Sequence, residues 1–316
     1  MPSWSYNCYR ESRATGISSL AEINQKNIRI YQMDRFLGKA LSITALSMTV
    51  GLSSLMAPAG AHAAAIVSGF DSNTVVRNDD SFDGPVSFGF TANFFGIEHN
   101  ELYVNNNGNI TFGSGLSTYT PFDLTSTGRQ IIAPFFADVD TRNAGEPVTY
   151  GTGTYEGRNA FGVNWIDVDY YSSSSSHTNR NSFQLILVDR SDINGGDFDF
   201  IFNYDQIQWE AGTASDSDPD GLGGSSARVG YSNGTGDPGT FFELAGSAVN
   251  GAFLDGGPNA LVSNRLNSDV DGRYVFSARN GSVDNPDPVP VPEPGSLALI
   301  GLGLAGLGLA RRKRAC

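Results

Sequence analysis

The chain has 316 residues, a formal net charge of −13, 40% hydrophobic residues, and two cysteines at its extremes, Cys8 and Cys316. Residues 64–294 hold 10 arginines, no lysine and 30 carboxylates, a formal balance of −20. Such a surface repels nucleic acid and anionic lipid, and the lack of cysteine there excludes a disulfide framework or a thiolate metal centre.

No hydrophobic periodicity runs through residues 1–32. Met33 is read as the true start of a secretory signal. Arg35 and Lys39 supply its charge, residues 40–55 its apolar run, and Ala61-His62-Ala63 a small-residue cleavage site ending at Ala63. Residues 1–63 are therefore expected to be an extension plus a signal peptide. The alternative, a first transmembrane helix, fits less well because the run is short and ends in Ala- and Pro-rich sequence.

Residues 64–284 place Gly, Ser, Asn and Asp between short apolar stretches, which predicts many turns and few helices. The expected class is all-β, an antiparallel β-sandwich-like single domain. Residues 86–90 alternate as an entering strand does. Leu102, Val104, Ile110 and Phe112 alternate around Asn107-Gly108, the strongest short-range hairpin signal. Residues 131–136 form an apolar run that reads as a buried strand, closed by a charged rim of Asp138 and Asp140 with Arg142 beside it. Further strands are predicted at 147–154, 158–171, 182–190, 197–204, 227–231, 240–244 and 273–278, with Asn194-Gly195-Gly196 as a hairpin connection. No internal repeat of 20 to 50 residues is visible, which argues against a propeller or solenoid.

The segments Leu102-Tyr103-Val104-Asn105-Asn106-Asn107-Gly108 and Ile132-Ala133-Pro134-Phe135-Phe136-Ala137-Asp138-Val139-Asp140-Thr141-Arg142 resemble the two most recognisable segments of the nidogen-like extracellular domain, NIDO. Trp165, Asn181-Ser182-Phe183-Gln184, Phe202-Asn203-Tyr204, Trp209 with Gly212, residues 241–247 and Gly272-Arg273-Tyr274-Val275-Phe276 are similar to its later blocks, so the resemblance covers residues 94–279. It implies extracellular adhesion or binding. The loop at 214–226 is longer and more acidic than the family pattern, and no cysteine-rich module follows, so multi-domain matrix assembly is not carried over.

Residues 285–294 alternate proline with other residues, which favours an extended, stiff spacer. Residues 295–316 hold an apolar run from Leu297 to Ala310 and the basic end Arg311-Arg312-Lys313-Arg314. As a helix the run spans about 21 Å, less than a hydrocarbon core of roughly 30 Å, and the four cations act as a membrane stop on the cytoplasmic side. Pro292-Glu293-Pro294, the span and the basic end together resemble the bacterial PEP-CTERM sorting tail. That resemblance implies recognition by an exosortase, cleavage at the motif, and transient anchoring in the inner membrane of an exopolysaccharide-producing cell. A permanent single-pass anchor is the alternative.

Catalytic signals are sparse. Between residues 64 and 294 there are only His99 and His177, far apart, the second beside a serine run that reads as a solvated loop. Asp167 with Asp169, and Asp197 with Asp199, lie two apart on predicted strands and are expected on a wet sheet face. Trp165 and Trp209 are expected in the core rather than on a sugar-stacking platform. Asp216-Ser217-Asp218-Pro219-Asp220-Gly221 copies the opening of an EF-hand loop, so Asp216, Asp218 and Asp220 are candidate calcium ligands. The position of the bidentate Glu holds Ala227, and a flexible acidic loop is the alternative. No other cofactor is expected. Asp138 and Asp140 form a second candidate pair, whose plainer role is to pair with Arg142 or cap a turn.

The expected function is non-catalytic adhesion or binding to extracellular polysaccharide or matrix protein, at the cell surface or in a biofilm matrix. The rivals are a glycosidase-like carbohydrate-active enzyme using paired carboxylates, and a purely structural matrix component.

Overall fold

The computed structural model describes residues 65–174 and 177–284. The signal, the sorting motif at Pro292-Glu293-Pro294 and the basic stop at Arg311–Arg314 lie outside them. Among the described residues no helix is long and apolar enough to cross a membrane.

The fold is all-β. Its strands are β1 (Asn73–Thr74), β2 (Phe82–Phe94), β3 (Ile97–Asn105), β4 (Asn109–Thr111), β5 (Ile131–Phe136), β6 (Thr149–Tyr155), β7 (Arg158–Val168), β8 (Asn181–Asp189), β9 (Phe198–Ile207), β10 (Arg228–Ser232), β11 (Phe241–Glu243), β12 (Arg273–Arg279) and β13 (Ser282–Val283). One sheet runs β1-β6-β7-β8-β9-β12-β13 and the other β11-β10-β5-β4-β3-β2, with every ladder antiparallel. Each predicted strand is present, with ends displaced by up to a few residues.

Side-chain alternation explains the layers. Phe161, Val163 and Trp165 of β7, Phe183, Leu185 and Leu187 of β8, and Phe198, Phe200 and Phe202 of β9 point into one core, where they meet Phe94, Leu102, Val104, Ile110 and Phe135 from the other sheet. The expectation for Trp165 and Trp209 holds, since both are fully buried. Trp165 stacks on Phe183 with ring centroids 5.2 Å apart, and its indole N–H donates to the Asn106 carbonyl at 3.0 Å. A buried ring of this size contributes roughly 1.5–3 kcal/mol through its apolar area.

Strands β7 to β9 are apolar on their outer face as well, where Ala160, Ile186, Val188 and Ile201 form one cluster with Phe70. A polar ladder straps the covering segment down. Gln184 exchanges hydrogen bonds with both backbone groups of Val67 (3.1 and 2.7 Å), and Asn164 donates to the Phe70 carbonyl at 3.0 Å.

On the second sheet, β5 is buried on both faces. Ile131, Ala133 and Phe136 join Leu116 and Leu124 outside, while Ile132 and Phe135 face the core. The alternation breaks at Pro134. There two residues of β5, Pro134 and Phe135, oppose the single Val229 of β10, since Ala133 pairs with Gly230 and Phe136 with Arg228. A bulge is where a proline fits a central strand.

Candidate functional site

The hairpin between β3 and β4 turns over three residues, Asn106, Asn107 and Gly108, because Asn105 pairs with Asn109. Its tip is buried, which is unusual for a turn, and the asparagine side chains supply the hydrogen bonds that such burial demands. Asn106 Nδ2 donates to the carbonyls of Asp79 (2.6 Å) and Val139. Asn107 Nδ2 donates to Asp80 Oδ1 at 2.8 Å, and its Oδ1 accepts the Val139 N–H at 2.9 Å. Two segments distant in sequence, 78–81 before β2 and 137–142 after β5, are thereby fixed on one floor.

That floor gathers carboxylates. Asp79, Asp80 and Asp138 each present a carboxylate oxygen, and these atoms lie within 4.8 Å of one another. Asp138 is 1% exposed and Asp140 4% exposed. The expected charged rim is therefore a buried cluster, because the hairpin tip and the segment before β2 fold over it.

The plainer role expected of Asp140 holds. Arg142 grips it with Nε to Oδ1 at 3.0 Å and Nη2 to Oδ2 at 2.8 Å, and the Arg142 N–H caps its Oδ1 at 2.9 Å. Arg142 also reaches Asp79 Oδ2 at 2.9 Å. Among the described residues Asp138 has no such partner, and its Oδ2 and the Oδ1 of Asp79 are buried without a hydrogen bond. Burial, then the neighbouring charges of Asp79, Asp80 and Asp140, push Asp138 up to about 8. Burial and the charges of Asp140 and Asp80 push Asp79 up to about 6, and burial raises Asp80 as well.

The loop expected to bind calcium is built differently. Asp218 Oδ1 accepts the backbone N–H groups of Asp220 and Leu222, both at 2.9 Å, and so braces its own turn. Asp216 follows a short 3-10 turn in a left-handed conformation, and the Asp220 carbonyl accepts from Asn179 at 2.8 Å. Among the described residues the carboxylates of Asp216, Asp218 and Asp220 are not drawn to one point as those of Asp79, Asp80 and Asp138 are.

The strand carboxylates depart from the wet-face expectation. A bulge between Trp165 and Val168 breaks the alternation; Asp167 is exposed, while Asp169, between the core residues Val168 and Tyr170, is buried under His177 and Arg180. Asp169 accepts from Arg180 at 3.0 Å and pairs with His177 Nε2 at 2.8 Å. His177 is thus held against Asp169 and packs on the Tyr170 ring, 4.8 Å away, instead of sitting in solvent. Asp197 and Asp199 are buried; Asp197 accepts the Asn280 N–H at 2.8 Å, and Asp199 is clamped between Arg190 and Arg279.

A cavity of about 340 Å³ opens on the outer face of the larger sheet. Val188, Ile201 and Val275 form its apolar floor; Tyr155, Arg158 and Arg273 stand at its sides. The Arg273 guanidinium lies over the Tyr155 ring at 5.8 Å from its centroid. Asp79, Asp80 and Asp138 line neither this cavity nor the one beside Phe88 and Thr152.

Neither Asp79 nor Asp80 was picked out from sequence. The available signal was the acidic pair in Asn78-Asp79-Asp80-Ser81 just before a strand, which gains meaning only once the fold brings Asp138 to it. The cavity residues come from several strands and leave no local signal.

Comparison with known proteins agrees with both sequence resemblances. Residues 290–314 match the PEP-CTERM protein-sorting motif, which implies exosortase-mediated sorting. Alpha-tectorin of Homo sapiens is 33% identical over 231 residues, covering 65% of this chain and 10% of the relative, and alpha-tectorin of Gallus gallus is 31% identical over 230 residues with the same coverage. The chain thus spans about a tenth of the length of these curated relatives. No solved structure matches it. An extracellular domain joined to this sorting motif marks an exported protein of the cell surface or extracellular space. Residues 100–280 match the nidogen-like domain, and the chain belongs to that family.

Proposed function

We propose that this protein is a non-catalytic adhesion module of an extracellular polysaccharide matrix. Exosortase would deliver it through a tail cut at Pro292-Glu293-Pro294 after transient anchoring in the inner membrane. The observation that carries the binding part is the cavity on the outer sheet face. An aromatic ring, the guanidinium groups of Arg158, Arg190 and Arg273, the carboxylates of Glu156, Asp199 and Asp269, and an apolar floor together offer stacking and charge-assisted hydrogen bonds to a saccharide.

The rival enzyme reading asks for two converging carboxylates open to substrate. The carboxylates of Asp79, Asp80 and Asp138 converge outside the cavity and Asp138 is buried, while of the cavity's own Glu156, Asp199 and Asp269 the second is clamped by Arg190 and Arg279.

Two results are expected. Intact-mass analysis of the protein from cells carrying the sorting machinery should show loss of residues 1–63 and of the segment after Pro294; an intact C-terminus would contradict processing. Immobilised acidic polysaccharide should retain the protein, Arg158→Ala should weaken retention about tenfold without changing the melting temperature, and Tyr155→Ala should weaken it about tenfold as well. Retention equal to wild type in both variants would remove the cavity from the binding role.

A further inference from the structure

We infer that Asp79, Asp80 and Asp138 form a calcium site that ties the segment before β2 to the exit of β5. This does not rest on the polysaccharide reading, since it uses other residues and another part of the surface.

Three observations support it. The three carboxylates converge from two segments far apart in sequence, with oxygens within 4.8 Å. Asp138 is all but inaccessible and among the described residues its Oδ2 has no hydrogen-bond donor; the Oδ1 of Asp79 is likewise buried and unsatisfied there. A buried carboxylate oxygen without a donor costs several kcal/mol unless something cationic or protic faces it. Third, the local cation does not balance the charge. Arg142 is engaged by Asp140 and by one oxygen of Asp79, which leaves a formal excess of three negative charges over Asp79, Asp80, Asp138 and Asp140.

The donor set selects the metal. Carboxylate oxygens without thiolate or imidazole suit a hard cation. Asp79 and Asp80 are only half-buried, so water can complete the six to eight ligands that calcium takes. Ligands from separate segments, one held by Arg142 and another by Asn107, suit calcium's tolerant geometry better than the strict octahedron of magnesium.

The test is calorimetric titration of calcium chloride into the purified full-length protein after chelator treatment, with thermal unfolding in parallel and magnesium chloride as a second arm. One calcium should bind per chain and raise the melting temperature by roughly 5 °C at millimolar calcium, with magnesium at least tenfold weaker. Asp138→Asn, nearly isosteric, and Asp80→Asn, at a half-buried position that tolerates the change, should each weaken calcium binding at least tenfold. Asp218→Asn should leave it unchanged. Absence of stoichiometric calcium binding would overturn the inference, as would wild-type affinity in both Asp138→Asn and Asp80→Asn. Loss of binding in Asp218→Asn with retention in those two would also overturn it and move the site to the acidic loop.

Discussion

Gly108→Ala is expected to cost at least about 4 kcal/mol and to leave little soluble protein, a loss out of proportion to one methyl group. Gly108 has φ +72°, where an added Cβ is strained in any surroundings. Here the surroundings are worse, because that Cβ would sit 1.7 Å from the Phe135 carbonyl oxygen, a backbone atom that cannot rotate away. Retreat of the backbone is blocked on both sides. The Phe135 N–H donates to the Gly108 carbonyl at 3.1 Å, the Tyr204 hydroxyl donates to the Pro134 carbonyl at 2.6 Å, and Trp165 holds the Asn106 carbonyl. Gly157 is the matched control, with φ +78° and nothing within 4 Å of its added Cβ. Gly157→Ala should cost only about 1 kcal/mol. Urea unfolding of the two variants separates the terms, and equal midpoints would mean that the hairpin tip is not locked against β5.

The strands were legible because their periodicity is a local property. Alternation in 183–187 and 198–202 follows from one face meeting the core, and Asn107-Gly108 marked the hairpin by its turn chemistry alone. Burial of polar groups was not legible in the same way. Asp138 and Asp140 read as a rim because two carboxylates next to an arginine are normally solvated. Their burial depends on the asparagines of 105–109 folding under segment 78–81, a contact between residues about 30 and 60 apart in sequence that no window contains. Asp167 is exposed as expected, whereas Asp169 is buried for a related reason, since His177 and Arg180, 8 and 11 residues on, fold over it. The acidic loop was legible as a turn: the Asp218 carboxylate accepts from the backbone of its own loop.

In chelator, where no cation offsets the cluster, stability is expected to fall as pH rises from about 4 to about 8 and then to level off, losing a few kcal/mol over that range. The sign follows from where the protons are held. Asp138 is pushed up to about 8 and Asp79 to about 6, against 3.8 for both when unconstrained. Between those limits the folded state binds more protons than the unfolded chain, so raising pH draws the protein towards the unfolded state. The contribution is complete below the unfolded value and is lost in two steps, first as Asp79 ionises and then as Asp138 does. The charges facing Asp138 are Asp79, Asp80 and Asp140, opposed by Arg142 alone, so nothing nearby relieves the second ionisation. Asp138→Asn replaces the protonated carboxyl by a neutral group of the same shape. It should unfold at about the wild-type urea midpoint near pH 3, below the unfolded value, and at a higher one than wild type at pH 9, with the upper step gone. If Asp138 were an ordinary exposed carboxylate, or if it were needed as an ionised partner of Arg142, the variant would be no more stable than wild type at pH 9, and midpoints measured at the two pH values decide between these cases.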